Sequence, residues 1–373
     1  MRPGQQRVSP AAATVAVVIP AWNAGRWIAA TLDSVLAQSY RPLDIVVVDD
    51  GSTDDTAAVV ARYAPTVRYL HQRNQGQAAA RNHGVSASRG EFIAFLDSDD
   101  LWLPDKLAHQ VALLHACPGA PLAFCNYVGF GELAGPPGFS RGPVLARLAS
   151  QPVDARITAP STDSLRQAQG EQQCFPFALS CELIEQSKGR TAVTTRLLIA
   201  EDQVTPLLDD LFCQVPSTWL LRRTAFEQAG GFDPTLRHGG EDWLLAARLA
   251  LLGPFACDSR ILAQRREFPT SHSRNTDALA GLTDALQRLL SGAELPAAIR
   301  QQVADRLAVQ ALNLGLAALR THECTRARDW LALAWHHGAA RPAAQRWKHR
   351  LRCLIGGALS YGPVALRRRL LGT

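Results

Sequence analysis

The first third of the chain alternates short apolar runs with stretches of helical periodicity. Each apolar run is rich in Val, Ile, Leu or Phe and is bounded by polar or turn residues, as buried strands are. These runs cover residues 15–19, 45–48, 67–70 and 91–96. Helical spacing of apolar or small residues occupies about 23–36, 52–63 and 77–88. This alternation predicts a mostly parallel, Rossmann-like α/β sheet with helices on both faces.

The same alternation continues less regularly as far as residue 275. It predicts helices over 104–116, 224–231 and 241–252, strands over 122–127 and 214–221, and a last edge strand over 255–265. Residues 129–209 are rich in Gly, Pro, Ser and Gln, and we interpret them as a long insertion or lid. From 276 onward helical periodicity continues without strand signals. We therefore expect a tail over 1–13, an α/β domain over 14–275 and a helical region over 276–373.

Composition limits the setting of this fold. The 373 residues are 47% hydrophobic, enough for a sizeable core. Eight cysteines without a CxxC pair favour reduced thiols in a cytoplasmic protein over a disulfide scaffold. The sequence shows no convincing signal peptide and no apolar run long enough to span a bilayer.

The net charge of +6 is concentrated at one end. Residues 341–373 contain eight Lys or Arg and no Asp or Glu, so the remainder sums to about −2. A main body of that charge argues against nucleic-acid binding. The segments 346–352 and 366–371 interleave basic residues with Leu and Trp. Such a segment either lies on an anionic membrane surface, here the cytoplasmic face of the inner membrane, or is a solvated helix packed by its apolar face.

Three acidic motifs carry candidate chemistry. Asp97 and Asp99 follow an apolar strand, where two carboxylates can converge on one hard cation such as Mg²⁺ or Mn²⁺. Asp49-Asp50 follows another strand and can accept hydrogen bonds from a base or a ribose. Glu241-Asp242 opens an apolar helix and can supply a general base. Each motif also has a purely structural interpretation, as a turn or a helix cap.

Five segments of the chain carry a family resemblance. They are Val15–Asn23, Val46–Thr53, Asn74–Gly84, Phe92–Asp100 with Trp102, Pro104 and Lys106 after it, and Gly230–Pro234 with Gly240–Leu244. In this order the first two resemble the opening of family 2 inverting glycosyltransferases of the GT-A fold, the third its next segment, the fourth its metal motif and the fifth its acceptor-side motif.

The resemblance implies a nucleotide-diphosphate sugar donor, most commonly a UDP-sugar. The implied donor-binding residues are Pro20, Ala21, Trp22, Asp49, Asp50, Arg81, Asp97 and Ser98. Among them, Trp22 would stack on the base, Asp50 would read it, and Arg81 would approach the donor. Asp97 and Asp99 would serve ribose and metal, with Asp99 the safer metal ligand.

On the acceptor side, the resemblance makes Asp242 the base that deprotonates the acceptor hydroxyl, with Glu241 able to trade roles with it. The implied reaction is a single in-line hexosyl transfer with inversion. The acceptor would be a glycan or a lipid-linked molecule, in the synthesis of cell-surface polysaccharide or glycoconjugate. In some relatives a His near His272 reaches the metal or diphosphate, although a surface role fits His272 better. Arg265 and Arg266 either contact diphosphate or are simply solvated.

Two other function classes compete with this one. A non-catalytic GT-A-like module that binds nucleotide or glycan would have lost metal or base carboxylates, and this chain retains both. A sugar nucleotidyltransferase usually opens with a Gly-rich phosphate loop and a basic residue, and Val15–Asn23 has neither. We therefore rank the transferase first, the binding module second and the nucleotidyltransferase third.

Overall fold

The computed structural model describes residues 13–131, 178–184, 193–199, 215–237, 239–268, 277–292, 295–338 and 343–361. The strands are β1 (Val15–Ala21), β2 (Leu43–Asp49), β3 (Val67–His71), β4 (Phe92–Phe95), β5 (Leu101–Trp102), β6 (Leu122–Phe130), β7 (Ala178–Ile184), β8 (Val193–Ile199), β9 (Trp219–Arg222) and β10 (Phe255–Arg266). The helices are α1 (Ile28–Leu36), α2 (Thr56–Ala61), α3 (Gln77–Ala87), α4 (Lys106–Ala116), α5 (Arg223–Gln228), α6 (Glu241–Ala250), α7 (Asp277–Gly292), α8 (Ala297–Arg320), α9 (Cys324–His337) and α10 (Ala343–Tyr361).

One mixed sheet organises these elements, with the strand order β3-β2-β1-β4-β9-β6-β10-β8-β7. The pairs β3–β2, β2–β1 and β1–β4 are parallel, as the sequence predicts, whereas β9 runs antiparallel to both β4 and β6. In the β1–β2 register Ala21 lies opposite Asp49. The residues that follow β1 and β2 therefore emerge side by side at the carboxyl edge, where ligands of such sheets bind.

The prediction of β10 as an edge strand is wrong. One side of β10 pairs with β6, and its other side pairs with β8 at Phe255–Asp258 and with β5 at Ala263–Gln264. The strand β8 belongs to the 129–209 segment, whose strands β7 and β8 form an antiparallel pair. We interpreted the whole 129–209 segment as an insertion from its Gly, Pro, Ser and Gln content and overlooked the β-branched run of β8, so the extra partner of β10 was not predicted. Most of the 129–209 segment otherwise lies outside the described residues.

The first helix begins later than its expected cap, Asn23. Asn23 has a φ of 49°, and its side chain accepts a hydrogen bond from the Thr53 amide over 2.8 Å. The next two amides, of Ala24 and Gly25, donate to the side chains of Thr56 and Asp54. Residues 22–27 therefore form a loop tied to the loop before α2, and this places the residues after β1 against those after β2.

The hydrophobic core continues past the expected domain boundary near residue 275. The cluster that includes Phe95, Trp219 and Trp243 also contains buried residues of α7 and the first half of α8, among them Leu286 and Leu307. A separate cluster joins the second half of α8 to α9 and α10. Residue 275 thus marks a change from strands to helices, and the break in the core falls later, within α8.

The cysteines Cys117, Cys125, Cys257, Cys324 and Cys353 are present as thiols. Among the described helices, none is long and apolar enough to cross a membrane.

Candidate active site

The strand-end carboxylates Asp49 and Asp50 are buried and hold loops in place. Asp49 accepts hydrogen bonds from the Ser52 amide over 2.8 Å and from the Tyr69 hydroxyl over 2.6 Å. Burial and the bond to Asp49 raise the pKa of Tyr69. Since the Asp49 side chain is only 1% exposed, it shapes the turn after β2 from beneath.

Asp50 organises the loop that leads into α3. Its Oδ1 accepts from Gln72 Nε2 over 2.7 Å and from the Gln75 amide over 2.8 Å, and its Oδ2 accepts from the Gly76 amide over 2.8 Å. The backbone amide of Asp50 in turn donates to the carbonyl of Ala21 over 2.8 Å. Asp50 therefore locks the end of β1 to the loop before α3.

Trp22 differs from these neighbours because it faces solvent. It follows β1 directly, and 56% of its surface is exposed. Pro20 and Ala21, the last residues of β1, are buried. An exposed indole at the carboxyl edge of the sheet offers a flat surface on which a base can stack.

The acidic loop after β4 is held from two sides. The Thr31 hydroxyl donates to the carbonyls of Ser98 over 2.9 Å and Asp100 over 3.0 Å. The amide of Arg266 donates to Asp100 Oδ1 over 2.8 Å, and its Nε donates to the carbonyl of Asp99 over 3.0 Å. The loop is therefore a fixed structure.

Ser217 supports the same loop from the turn before β9. Its hydroxyl donates to Asp100 Oδ2 over 2.6 Å and accepts from the Asp97 amide over 3.1 Å. Asp100 is 2% exposed and both of its carboxylate oxygens accept hydrogen bonds, so it stabilises the loop conformation. Asp97 and Asp99 are partly exposed. Ser217 and Thr31 were not among the predicted site residues. A single hydroxyl residue that is distant in sequence from the acidic loop gives no local signal of its contact with that loop.

The loop is a region of concentrated negative charge. Burial and the neighbouring Asp97 raise the pKa of Asp99 to about 6. Burial, Asp97 and Asp99 raise the pKa of Asp100 well above its ordinary value. Among the described residues no three His, Cys, Asp or Glu side chains form a ready metal cluster. Two clustered carboxylates nevertheless fit a hard divalent ion, which would relieve their repulsion and share its coordination sphere with diphosphate oxygens.

Arg81 connects this loop to the other acidic motif. Its Nη2 donates to Asp97 Oδ1 over 2.7 Å, and its Nη1 lies 3.4 Å from Glu241 Oε1. Gln77, one turn earlier on α3, donates to the same Glu241 oxygen over 2.5 Å. The Arg81 side chain is only 2% exposed, so its contact with a donor would run through Asp97.

Glu241 and Asp242 have different environments despite being adjacent. Glu241 is 2% exposed and bound by Arg81 and Gln77. Asp242 is partly exposed, and its Oδ1 accepts from the Trp243 amide over 2.7 Å. Burial and Glu241 raise the pKa of Asp242 to about 7, while Arg81 lowers it. Of the two, Asp242 thus combines access with a pKa suited to proton transfer near neutrality.

His272 lies outside the described residues. Arg266 is described, and its guanidinium stacks on Trp27 at 4.1 Å and on Phe130 at 4.3 Å from the ring centroids. Its Nε also donates to the carbonyl of Asp99. Arg266 is therefore not simply solvated, because these contacts engage its guanidinium.

The comparisons with known proteins add the family to this geometry. Residues 16–133 match the model of Glycosyl transferase family 2. Residues 16–133 have the sequence of a family 2 glycosyltransferase domain. The match covers β1 to β6 and includes Trp22, Asp50, Arg81, Asp97 and Asp99, so the predicted family is confirmed.

Individual relatives of this glycosyltransferase domain share about a quarter of the chain. An uncharacterized glycosyltransferase of Rickettsia felis is 41% identical over 102 residues, which are 27% of this chain and 17% of that protein. A second relative is the Bacillus subtilis glycosyltransferase TuaG, whose name refers to teichuronic acid biosynthesis. It is 38% identical over 104 residues, which are 27% of this chain and 41% of that protein. The matched region therefore spans less than half of the length of either relative.

The crystal structure of S. aureus TarS 1-349 in complex with UDP-GlcNAc is similar over the whole fold. It matches with a TM-score of 0.62 and covers 95% of this chain and 92% of that chain, at 15% sequence identity. At this identity the likeness concerns the fold alone. It confirms the predicted GT-A fold of the glycosyltransferase domain, with the helical region included in the match.

Proposed function

We propose that this protein transfers a hexosyl group from a nucleotide-diphosphate sugar, in first place a UDP-sugar, to a hydroxyl of a glycan or lipid-linked acceptor, with inversion. The observation that carries the proposal is the ion-pair chain from Asp97 through Arg81 to Glu241, with Asp242 next to it. It joins the carboxylates suited to a metal and the carboxylate suited to a base in one cluster, which a donor and an acceptor must share for transfer.

The donor side uses the residues at the carboxyl edge of β1, β2 and β4. Trp22 offers its exposed ring to the base, and the Asp50 carboxylate holds the backbone that borders the base. Asp97 and Asp99 would hold Mg²⁺ or Mn²⁺, which supplies positive charge to the departing diphosphate. The UDP-GlcNAc bound to TarS 1-349 agrees with a nucleotide-sugar donor for this fold.

The acceptor side uses Asp242. Its carboxylate takes the proton of the acceptor hydroxyl as that oxygen bonds to the anomeric carbon, and the bond from that carbon to the diphosphate oxygen breaks. Nucleoside diphosphate leaves with the electron pair, and the configuration at the anomeric carbon inverts in this single displacement. Arg81 balances one of the two negative charges of Asp97 and Glu241, and it thereby lowers the pKa of Asp242 against the raising effects of burial and Glu241.

We propose that the acceptor belongs to cell-surface polysaccharide or glycoconjugate synthesis, because the name of the relative TuaG refers to such a polymer. Nucleotide sugars and reduced thiols are both consistent with a cytoplasmic reaction.

The test measures release of nucleoside diphosphate from UDP-, GDP-, TDP- and CDP-sugars by the purified full chain with Mn²⁺. We expect release from one nucleotide class, and an Asp242→Asn rate about 10²–10⁴-fold lower, as for loss of a general base. Asp44→Asn, the same chemical change at the amino end of β2, should keep the wild-type rate.

Two results would change the assignment. A full rate in Asp242→Asn would remove the base role from Asp242. Metal-dependent nucleotide binding without release from any sugar would favour the non-catalytic binding module.

A further inference from the structure

The exposed apolar surface of the protein is concentrated on two helices. Within the described part of the chain, six large apolar or aromatic side chains are exposed. Trp22 belongs to the candidate active site, and the other five are Trp335 on α9 and Leu351, Leu354, Ile355 and Tyr361 on α10. Contiguous apolar patches of this kind on a soluble surface mark interaction sites. We call these five residues, with Arg328 and Arg350, the α9–α10 surface.

The α10 helix is apolar on two faces. On its inner face, Cys353 and Leu359 are buried in the cluster shared with α8 and α9, and a Cβ at Gly356 would meet Leu331 at 3.0 Å. On its outer face, Leu351, Leu354, Ile355 and Tyr361 follow helical spacing and remain 46–77% exposed. The inner face already explains how α10 is held to the protein, so the outer stripe is available to a separate partner.

Each exposed aromatic ring of this surface carries an arginine. The guanidinium of Arg350 lies 5.0 Å from the Trp335 ring centroid, and that of Arg328 lies 4.7 Å from the Tyr361 ring centroid. Aromatic rings next to cationic groups with apolar stems suit the boundary between lipid head groups and acyl chains. The Tyr361 and Trp335 pairs therefore give the stripe an interfacial anchor at each of two positions.

The charge of the two helices selects the kind of partner. The sequences 324–337 and 343–361 contain six Lys or Arg and one carboxylate, Asp329. A second copy meeting this surface by two-fold symmetry would bring like charges together. A surface rich in anionic head groups has the complementary charge and also accepts the apolar stripe.

We propose that the α9–α10 surface docks on an anionic lipid bilayer, with α10 parallel to the membrane plane. The stripe from Leu351 to Tyr361 is about 15 Å long, as ten residues of α-helix are. Such a helix inserts its apolar side chains at the head-group level without crossing.

The test is co-sedimentation of the full chain with vesicles of phosphatidylcholine alone and of phosphatidylcholine with phosphatidylglycerol. We expect binding to the anionic vesicles only, weakened by salt. The double variant Leu354→Glu, Ile355→Glu should lower the partition coefficient about tenfold or more, because it removes apolar area and adds repulsion. The control Gln301→Glu, Asn313→Glu adds the same charge at two exposed positions of α8 and should bind like the wild type.

Circular dichroism and nucleotide binding of both double variants establish that they are folded. Equal sedimentation of wild type and Leu354→Glu, Ile355→Glu would overturn the proposal, as would wild-type binding that ignores the anionic lipid. A wild type that does not sediment, but forms a dimer that this variant dissociates, would assign the surface to a second copy and equally overturn it.

Discussion

Arg81 Nη2 lies 2.7 Å from Asp97 Oδ1, although the two residues come from a helix and from the loop after a neighbouring strand. The same guanidinium lies 3.4 Å from Glu241, whose side chain is also buried. One arginine therefore pairs with carboxylates of two separate acidic motifs, the one after β4 and the one at the start of α6. This arrangement makes the geometry of the candidate site and the stability of the fold depend on the same residue.

Arg81→Ala should destabilise the protein by about 3–5 kcal/mol, because it leaves the buried Glu241 carboxylate without a counter-charge. Urea unfolding followed by circular dichroism measures the change. The matched control is Arg68→Ala, which removes a surface ion pair with Asp44. The Arg68 side chain is 44% exposed. That loss should be about 0–1 kcal/mol. Equal losses of unfolding free energy in the two variants would show that the Arg81 ion pairs stabilise the fold no more than a surface pair does.

The pKa of Asp242, raised to about 7 by burial and Glu241, predicts an acid limb in the pH profile of turnover. A base acts only when deprotonated, so kcat should rise with pH and level off above that pKa. A divalent cation nearby favours the charged carboxylate, so the midpoint should lie at or below 7 when Mn²⁺ is bound. A flat profile between about pH 5 and pH 9 would contradict the assignment.

The same pKa shift predicts a change in stability with pH. A carboxyl group whose pKa is raised by folding stabilises the protein most below its unfolded pKa, about 3.9, and loses that contribution as pH rises through 7. Asp242→Asn should therefore be more resistant to urea than the wild type above neutrality, with the difference shrinking at lower pH.

Trp22→Ala should weaken nucleotide binding by about 1–3 kcal/mol, the range found for stacking of a base on an aromatic ring. Because Trp22 is 56% exposed, the substitution should leave the unfolding midpoint unchanged. Isothermal titration with the preferred nucleoside diphosphate measures the loss. Trp335→Ala is the control, since this tryptophan is exposed on α9 and should not alter nucleotide affinity.

Arg266→Ala should lower the affinity for Mn²⁺ about tenfold, as other losses of support for a metal ligand do. The reason is that Arg266 Nε supports the backbone of Asp99, while its guanidinium stacks on Trp27. Arg41→Ala is the matched control. Arg41 also donates to backbone carbonyls, but it does so at the end of α1, before the amino end of β2. Equal Mn²⁺ affinity in both variants would remove the positioning role from Arg266.

The sequence predicted those parts of the fold that depend on local pattern. Apolar β-branched runs predicted β1 to β4, and carboxylates directly after two such strands and at one helix start marked the three acidic motifs. Parallel pairing then brings Asp50 and Asp97 to one edge without further information. The family resemblance rests on the same positions, and the family model covers those within residues 16–133, which leaves Glu241 and Asp242 outside the match.

The sequence could not predict the contacts that join distant segments. Arg81 and Glu241 are 160 residues apart, and nothing local to either indicates the pair. Asn23 looked like a helix cap, yet it binds the loop after β2, because tertiary contacts there outweigh capping. The interior position of β10 depends on its pairing with β8, and strand pairing between segments so far apart in the chain cannot be read from either segment alone.

The most direct test of the central claim is calorimetric titration of UDP, GDP, TDP and CDP into the purified chain, with and without Mn²⁺, alongside Asp99→Asn. The account predicts that one nucleotide, in first place UDP, binds with Mn²⁺, and that this binding is lost without the ion and in the variant. Binding that is equal with and without Mn²⁺ and equal in Asp99→Asn, or no binding of any of the four, would contradict a metal-dependent nucleotide-sugar transferase.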